Sequence, residues 1–238
     1  MREEFTRITR WIPTFGKFHP SSRVAMPGLL GILAVLLSGC LTNQYDFLNY
    51  TNPSGADMYF KVPASWSDFG PSTVFSSGSQ KISPSQLAQL EAGEWANVFY
   101  GKRNAPLSAV TGIFSSHPFG IVQATKLNSA QHDTFSLSTL RTLLLPVDPL
   151  SKTSPTGGAS YSATSYSEFA TKSGMRGSRM VVRVKESTGA TSVLDQVAEV
   201  DSSTSWVYLI GVGCSAKCYS QNRAVINEIV NSWSVRSR

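Results

Sequence analysis

The sequence predicts an α+β fold in which an antiparallel β-sheet meander is covered by two or three helices, one of them an amphipathic C-terminal helix. Four strand-like segments follow one another in the second half and are joined by short polar connections, which is typical of antiparallel pairing. Near the C-terminus apolar residues recur at helical spacing, at Ile226, Ile229, Val230 and Trp233. The length of 238 residues and the 41% hydrophobic content support a packed core and exclude a wholly disordered chain.

The first half of the chain predicts three strands and two helices. The strands are expected over residues 58–62, 95–100 and 120–126. A helix is predicted over residues 83–91 because Ser83 is a favourable N-cap, Pro84 suits the first turn and Gln86 completes a capping box. A second helix is predicted over residues 137–145, with Ser136 as its cap and Pro146 as its stop.

The second half contains the segments expected to form the meander. A loop or linker rich in Ser, Thr, Gly and Pro is predicted over residues 151–160. Strands are predicted over residues 166–172, 179–185, 191–200 and 206–214. The C-terminal helix is expected to cover the apolar face of this sheet, so residues 56–238 are interpreted as a single α+β domain.

Residues 1–39 are typical of a bacterial lipoprotein signal peptide. An uncharged, largely apolar run at 26–37 follows Arg23, and it is too short to span a bilayer. Leu37-Ser38-Gly39-Cys40 matches the lipobox, in which the cysteine receives a diacylglyceryl group and its freed amine is acylated. The alternative is a buried N-terminal helix with an incidental cysteine.

Lipidation of Cys40 predicts the location of the whole chain. Residues 40–55 are interpreted as a flexible tether, and the domain is expected on the outer, extracytoplasmic face of the cell membrane. The formal charge of +6 supports nucleic-acid binding only weakly, because residues 1–39 hold five basic and two acidic residues and removing them leaves +3. Export also removes the usual nucleic-acid target, so no nucleic-acid partner is predicted.

Cys214 and Cys218 are predicted to form a disulfide, since paired cysteines in an oxidising compartment usually do. Two buried free thiols and a metal site are the alternatives. A zinc site needs further ligands. The histidines of the chain after Cys40, His117 and His132, are both distant in sequence, so no metal is predicted.

The domain resembles the Mog1/PsbP-like fold, including its actinobacterial lipoprotein branch of LpqN type. The resemblance rests on an opening strand that ends Phe60-Lys61-Val62-Pro63-x-x-Trp66 and on a C-terminal Ile229-Val230-x-Ser232-Trp233 segment, in which Trp233 stands where the family usually has Phe. It covers roughly residues 56–236. It implies a non-enzymatic adaptor that docks on a larger membrane complex or a small GTPase, and no catalytic or metal-binding residues transfer with it.

No catalytic site and no cofactor are predicted. The sequence contains no nucleophile elbow and, after Cys40, no phosphate-binding glycine loop. His117 and His132 are both interpreted as exposed turn residues. Asp195, Glu199 and Asp201 alternate along a predicted strand and its turn and are interpreted as a solvated sheet face.

Basic residues and one tryptophan are the candidates for surface contact. Arg176, Arg179, Arg183 and Lys185 cluster around one strand, and the odd-numbered three share a face. This stripe is either a solvent face that limits aggregation or a contact for anionic lipid or an acidic partner. Trp66 follows the first predicted strand and is expected to be partly exposed.

The preferred function is a lipid-anchored extracytoplasmic binding or adaptor domain that associates with a cell-envelope protein without catalysis. One alternative is a lipid or small-molecule carrier with a cleft between sheet and helices. Another is an envelope hydrolase with an unrecognised site, in which His117 or His132 acts as the base.

Overall fold

The computed structural model describes residues 44–77, 82–145, 148, 150–151 and 159–236. The predicted signal peptide and Cys40 lie outside the described residues, as does most of the predicted linker over residues 151–160. Ser160 already begins a strand, six residues before the predicted start at 166.

Within the described residues, ten strands form two antiparallel sheets. The small sheet has the order β1–β2–β10 and is built from β1 (Tyr45–Thr51), β2 (Asp57–Pro63) and β10 (Ser234–Arg236). The large sheet is built from β3 (Ser67–Phe69), β4 (Glu94–Tyr100), β5 (Phe119–Lys126), β6 (Ser160–Ala170), β7 (Arg176–Lys185), β8 (Thr191–Val200) and β9 (Trp206–Ser215). Its order is β3–β4–β5–β9–β8–β7–β6, so the predicted meander is confirmed as β6 to β9.

Five α-helices and one 3-10 turn are described. The helices are α1 (Pro71–Phe75), α2 (Pro84–Glu91), α3 (Ser129–Thr134), α4 (Leu137–Arg141) and α5 (Ala216–Ser232), and the 3-10 turn is Leu107–Ala109. The predicted capping box of α2 is confirmed, because the Ser83 hydroxyl accepts from the Gln86 N–H while the Gln86 side chain accepts from the Ser83 N–H. The amphipathic C-terminal helix is confirmed as α5, whose Ile226, Ile229 and Val230 are buried.

The large sheet has a hydrophobic core on each face. On the first face, α5 and the small sheet pack against the strands. The rings of Tyr50 and Trp95 stack there with centroids 4.8 Å apart, and Phe60 lies 6.3 Å from Phe99. On the second face, α1, α2, α4 and the loops around them enclose a separate core that includes Leu140. The sheet therefore has a helix-and-sheet layer on one side and a layer of short helices and loops on the other.

β1 corrects the prediction of an irregular tether over residues 40–55. Residues Tyr45–Thr51 pair with β2 along their whole length, from Tyr45 opposite Pro63 to Thr51 opposite Asp57. The inward Leu48 and Tyr50 pack against the first core, while Phe47 points to solvent. An aromatic residue on the outward side conceals the alternation that identifies a half-buried strand. The folded domain therefore begins before residue 56.

The helix predicted over residues 137–145 is also shorter than expected. α4 ends at Arg141, and Leu143, Leu144 and Leu145 are all buried in the second core. A continuing helix would distribute these three neighbours around its axis, about 100° apart, and would expose at least one of them. The segment is instead held by Gln196, whose Nε2 donates to the Leu140 carbonyl over 2.7 Å.

The predicted disulfide between Cys214 and Cys218 is present and buried. It joins the end of β9 to the first turn of α5, where the Ser215 hydroxyl accepts from the Cys218 N–H. The disulfide therefore fixes the angle at which the helix leaves the central strand. Among the described residues, no helix is both long enough and apolar enough to cross a membrane.

Candidate functional site

A cavity of about 560 Å³ lies on the second face of the large sheet. The sheet contributes apolar side chains from four strands, at Val98, Phe119, Ile121, Val184 and Leu194. The walls come from α1, the loop around the 3-10 turn and the stretch after α4, at Val74, Leu107, Val110, Ile113, Phe114, Leu144 and Leu145. The volume and the apolar lining are those of sites that bind small organic molecules.

Two glycines in the central strand β9 leave space on this face. Gly211 and Gly213 are two residues apart and therefore point to the same side of the sheet. A Cβ atom at Gly211 would lie 2.2 Å from Leu144 Cδ1, so only glycine lets Leu144 approach the strand this closely. Because Gly211 has no side chain, Leu144 of the cavity wall packs directly on the backbone of β9. The pattern Ile210-Gly211-Val212-Gly213 is the sequence feature from which this cavity could have been anticipated.

The wall after α4 is fixed by a charged clamp. Arg141 Nε donates to both carboxylate oxygens of Asp148 over 2.9 Å, and Arg141 Nη2 donates to Oδ2 over 2.8 Å. Arg141 Nη1 also donates to the Tyr166 hydroxyl on β6 over 2.8 Å. The Arg141 guanidinium lowers the pKa of Asp148 below its ordinary value, so the clamp is charged at neutral pH. It holds Leu144 and Leu145 over the sheet by joining their segment to an outer strand.

Polar groups are few in the cavity lining and include a tyrosine and a carboxylate. Tyr161 of β6 and Glu186, which follows β7, both line it and are both half-buried. Burial, and then the charge of Glu186, raise the pKa of the Tyr161 phenol, so this hydroxyl keeps its proton at neutral pH and can donate. The Thr188 hydroxyl donates to Glu186 Oε2 over 3.2 Å. The cavity thus offers one carboxylate and a few hydroxyl groups, those of Tyr161, Ser77 and Ser108, beside an apolar surface.

The histidines do not form a catalytic set with this cavity. His117 Nδ1 lies 3.2 Å from the Ser116 hydroxyl and 3.5 Å from the Tyr100 hydroxyl. His132 lies in α3, not in a turn as predicted, and its Nδ1 is 3.0 Å from Asp133 Oδ1 on the protein surface. Neither histidine lines the cavity. Within the described ranges, no three His, Cys, Asp or Glu side chains are grouped as a metal site would require.

The four predicted basic residues do not form one patch. Arg183 and Lys185 are exposed at one end of β7, whereas Arg176 at the other end donates to the Thr204 hydroxyl over 3.2 Å. Arg179 lies between them and binds Asp195 through two hydrogen bonds of 3.1 and 2.8 Å. Its remaining Nη1 donates to Asn231 Oδ1 of α5 over 2.6 Å. The Arg179 guanidinium is therefore paired with groups of the domain itself.

The interpretation of Asp195, Glu199 and Asp201 as a solvated sheet face is wrong. Asp195 is completely buried and Glu199 is 6% exposed, because α5 and the small sheet cover the first face. Asp201 lies in the turn after β8, where its Oδ1 accepts from the Ser205 N–H over 2.6 Å. Trp66 is half-buried, as predicted, with its ring 6.1 Å from that of Phe99.

No protein-family model matches the chain, and neither does any curated protein. Solved structures that are similar to it include the following three. Cyanobacterial PsbP (CyanoP) from Synechocystis covers 84% of this chain and 99% of its own length, with 11% identity and a TM-score of 0.42. LpqN of Mycobacterium tuberculosis, described as involved in cell envelope biogenesis, covers 82% of this chain and 93% of its own, with 11% identity and a TM-score of 0.41.

The third structure is the Ran-binding protein Mog1p of Saccharomyces cerevisiae. It covers 80% of this chain and 95% of its own, with 10% identity and a TM-score of 0.41. These names belong to the Mog1/PsbP-like group that the sequence resembles.

Proposed function

We propose that this chain is a non-catalytic binding domain, held on the outer face of a cell membrane by acylated Cys40, that carries an apolar ligand in the cavity beside Leu144. The observation that supports the ligand is the cavity itself, which has about 560 Å³ of space lined almost entirely by aliphatic and aromatic side chains. Empty apolar space of this size costs packing energy. A ligand that fills it recovers that energy.

The lining favours a ligand with a hydrocarbon body and one polar end. Each methylene buried against the sheet contributes about 0.8 kcal/mol of transfer free energy. Tyr161 and Glu186 supply a hydroxyl and a carboxylate on the same lining, where they suit a hydroxyl or ammonium group of the ligand. A lipid or another amphiphile with a hydrogen-bond donor at one end has this chemistry.

The ligand proposal predicts a bound mass in the purified protein. We expect native mass spectrometry of the membrane-extracted protein to show an added mass that organic solvent releases. Val98→Phe fills part of the cavity and should abolish the added mass. Val181→Phe makes the same change on the opposite, first face and should retain it. A ligand-free mass for the unmodified protein would contradict the proposal.

The anchor is supported by Leu37-Ser38-Gly39-Cys40 following an apolar run. Two or more acyl chains give stable membrane attachment, which a single chain does not. Cys40→Ser is expected to abolish metabolic labelling by fatty acid and to move the protein from the membrane fraction to the soluble fraction. The paired change Cys214→Ser and Cys218→Ser should leave the labelling intact. Unchanged membrane retention of Cys40→Ser would refute the anchor.

Docking on a cell-envelope protein is the second candidate function, and the outer edge of β6 favours it. β6 has 11 residues and ends the large sheet, and no described strand pairs with its outer side. An extended segment of a partner adds to such an edge as a further strand. The irregularity between Ala163 and Ser165 limits indiscriminate pairing. An adaptor of this kind predicts a ligand-free mass in the experiment above, so the two functions are distinguished there.

A further inference from the structure

The outer face of the small sheet carries exposed aromatic side chains. Its inner face is the buried side, because Met58, Phe60 and Val62 alternate into the first core. On the outer side Phe47 is 78% exposed and Tyr59 is 38% exposed. Large apolar side chains this exposed, at diagonal positions on one face of a sheet, are typical of a surface that contacts another phase or partner.

Cations lie beside these aromatic rings. Lys61 stands opposite Phe47 in the strand register, and its Nζ is 4.4 Å from the centre of the Tyr45 ring. Arg236 of β10 lies 5.5 Å from the centre of the Tyr59 ring. Glu228 of α5 accepts from Lys61 Nζ over 2.6 Å and therefore offsets that charge. The face is thus mainly aromatic, and its cation Arg236 stands opposite Asp57 in the register of β10 with β2.

The position of this face relative to Cys40 is limited by the chain itself. Gln44 is fixed at the start of β1, where its carbonyl accepts from the Ala64 N–H over 3.0 Å. Four residue steps separate Gln44 from Cys40, which corresponds to at most about 14 Å of fully extended chain. An acylated Cys40 lies at the bilayer surface, so the N-terminal end of β1 must stay close to that surface.

The same end of the domain carries a second aromatic and cationic pair. Gln44, Tyr45, Trp66 and Arg103 line a shallow depression beside the start of β1. Tyrosine and tryptophan rings are favoured at the headgroup level of a bilayer, and arginine is attracted to anionic headgroups. The aromatic rings and the arginine of this depression therefore suit a lipid surface better than water.

We propose that the outer face of β1–β2–β10 rests on the lipid surface, with Phe47 in the interfacial zone and Arg236 and Arg103 near the headgroup phosphates. This inference rests on the anchor of the proposed function, since the short reach from Cys40 brings the face to the bilayer. A protein partner or a second copy of the chain would not require Tyr45 and Phe47 to lie near the anchored end of β1. The large sheet and its cavity then stand on the side of the small sheet away from the membrane contact.

The test uses a fluorescent label whose emission depends on polarity. Phe47→Cys is labelled with nitrobenzoxadiazole in the full acylated chain, where Cys40 is blocked by lipid and the other cysteines are paired. Leu150→Cys, at another exposed apolar residue, is the matched control because Leu150 is 44% exposed and follows the Asp148 clamp of the second-face layer. Both proteins are reconstituted into vesicles of phosphatidylethanolamine and phosphatidylglycerol.

We expect a blue shift of the label at position 47, loss of its quenching by aqueous iodide and quenching by spin-labelled lipid. The label at position 150 should show none of these changes. If the labelled protein floats with the vesicles but iodide still quenches the label at position 47, this inference is overturned and the anchor stands. Failure of the acylated protein to float would overturn both. If the label at position 47 is also protected from iodide in Cys40→Ser protein without vesicles, a second copy of the chain covers it, and the inference is again overturned.

Discussion

Replacing Arg179 with alanine is expected to lower the free energy of unfolding by about 3–5 kcal/mol, because the change leaves a buried carboxylate without its partner. Asp195 has no exposed surface, and two of its hydrogen bonds come from the Arg179 guanidinium at 3.1 and 2.8 Å. The same guanidinium donates to Asn231, so the variant also loses a bond between β7 and α5. Urea denaturation of the oxidised protein at neutral pH measures the change.

Arg183→Ala is the matched control for this experiment. Arg183 lies on the same strand and face but is exposed, so its loss should change the free energy of unfolding by less than about 0.5 kcal/mol. The double change Arg179→Met with Asp195→Leu should recover most of the lost stability, since it removes both charges together. A cost of under about 1 kcal/mol for Arg179→Ala would show that the pair does not stabilise the fold.

Arg179 illustrates which part of the structure the sequence predicts. Strand periodicity correctly places Arg179, Arg183 and Lys185 on one face, because alternation along a strand is a local property. Periodicity does not indicate what covers that face. Asp195 comes from the neighbouring strand and Asn231 from α5, 52 residues further along the chain. The interaction that buries Arg179 therefore depends on tertiary packing, and the sequence presents it as one more surface cation.

The same distinction explains the other outcomes. The capping box at Ser83 and the apolar repeat at Ile226 are local patterns, and both predicted helices are present. The two glycines of β9 indicate space on the second face of the sheet, but the walls of the cavity come from three separate segments, so the local pattern does not predict the enclosure. β1 was missed because Phe47 points outward. If the membrane proposal is correct, this departure from hydrophobic alternation has a function.

Glu199→Gln is expected to stabilise the protein at pH 8 by up to about 3 kcal/mol. Glu199 is 6% exposed, and within the described part of the chain its Oε2 atom has no hydrogen-bond partner. Burial raises the pKa of this carboxyl from 4.5 to about 7. The folded state therefore binds the proton more tightly than the unfolded state does. The glutamine side chain resembles the protonated carboxyl group, and its amide does not release a proton over this pH range.

The sign of the pH dependence follows from these two pKa values. Below pH 4.5 both states are protonated and the contribution of Glu199 is fully present. As the pH rises from 4.5 to about 7, the unfolded state releases its proton first, so the stability of the unmodified protein falls and then levels off. The advantage of Glu199→Gln should therefore appear over this range and be absent at pH 4. Thermal denaturation at pH 4, 6 and 8 measures it.

Glu168→Gln supplies the control for the loss of one negative charge. Glu168 is on β6 with its side chain 46% exposed; it accepts from the Tyr166 hydroxyl and lies 3.6 Å from Arg141 Nη1, so this change reports the loss of a partly exposed carboxylate together with its ion pair. The pH-dependent gain of Glu199→Gln should remain after that contribution is subtracted. If the two variants respond to pH in the same way, the carboxyl of Glu199 is hydrated in solution. The first core would then admit water between β8 and the small sheet, and the tight contact of the small sheet with the large one would have to be revised.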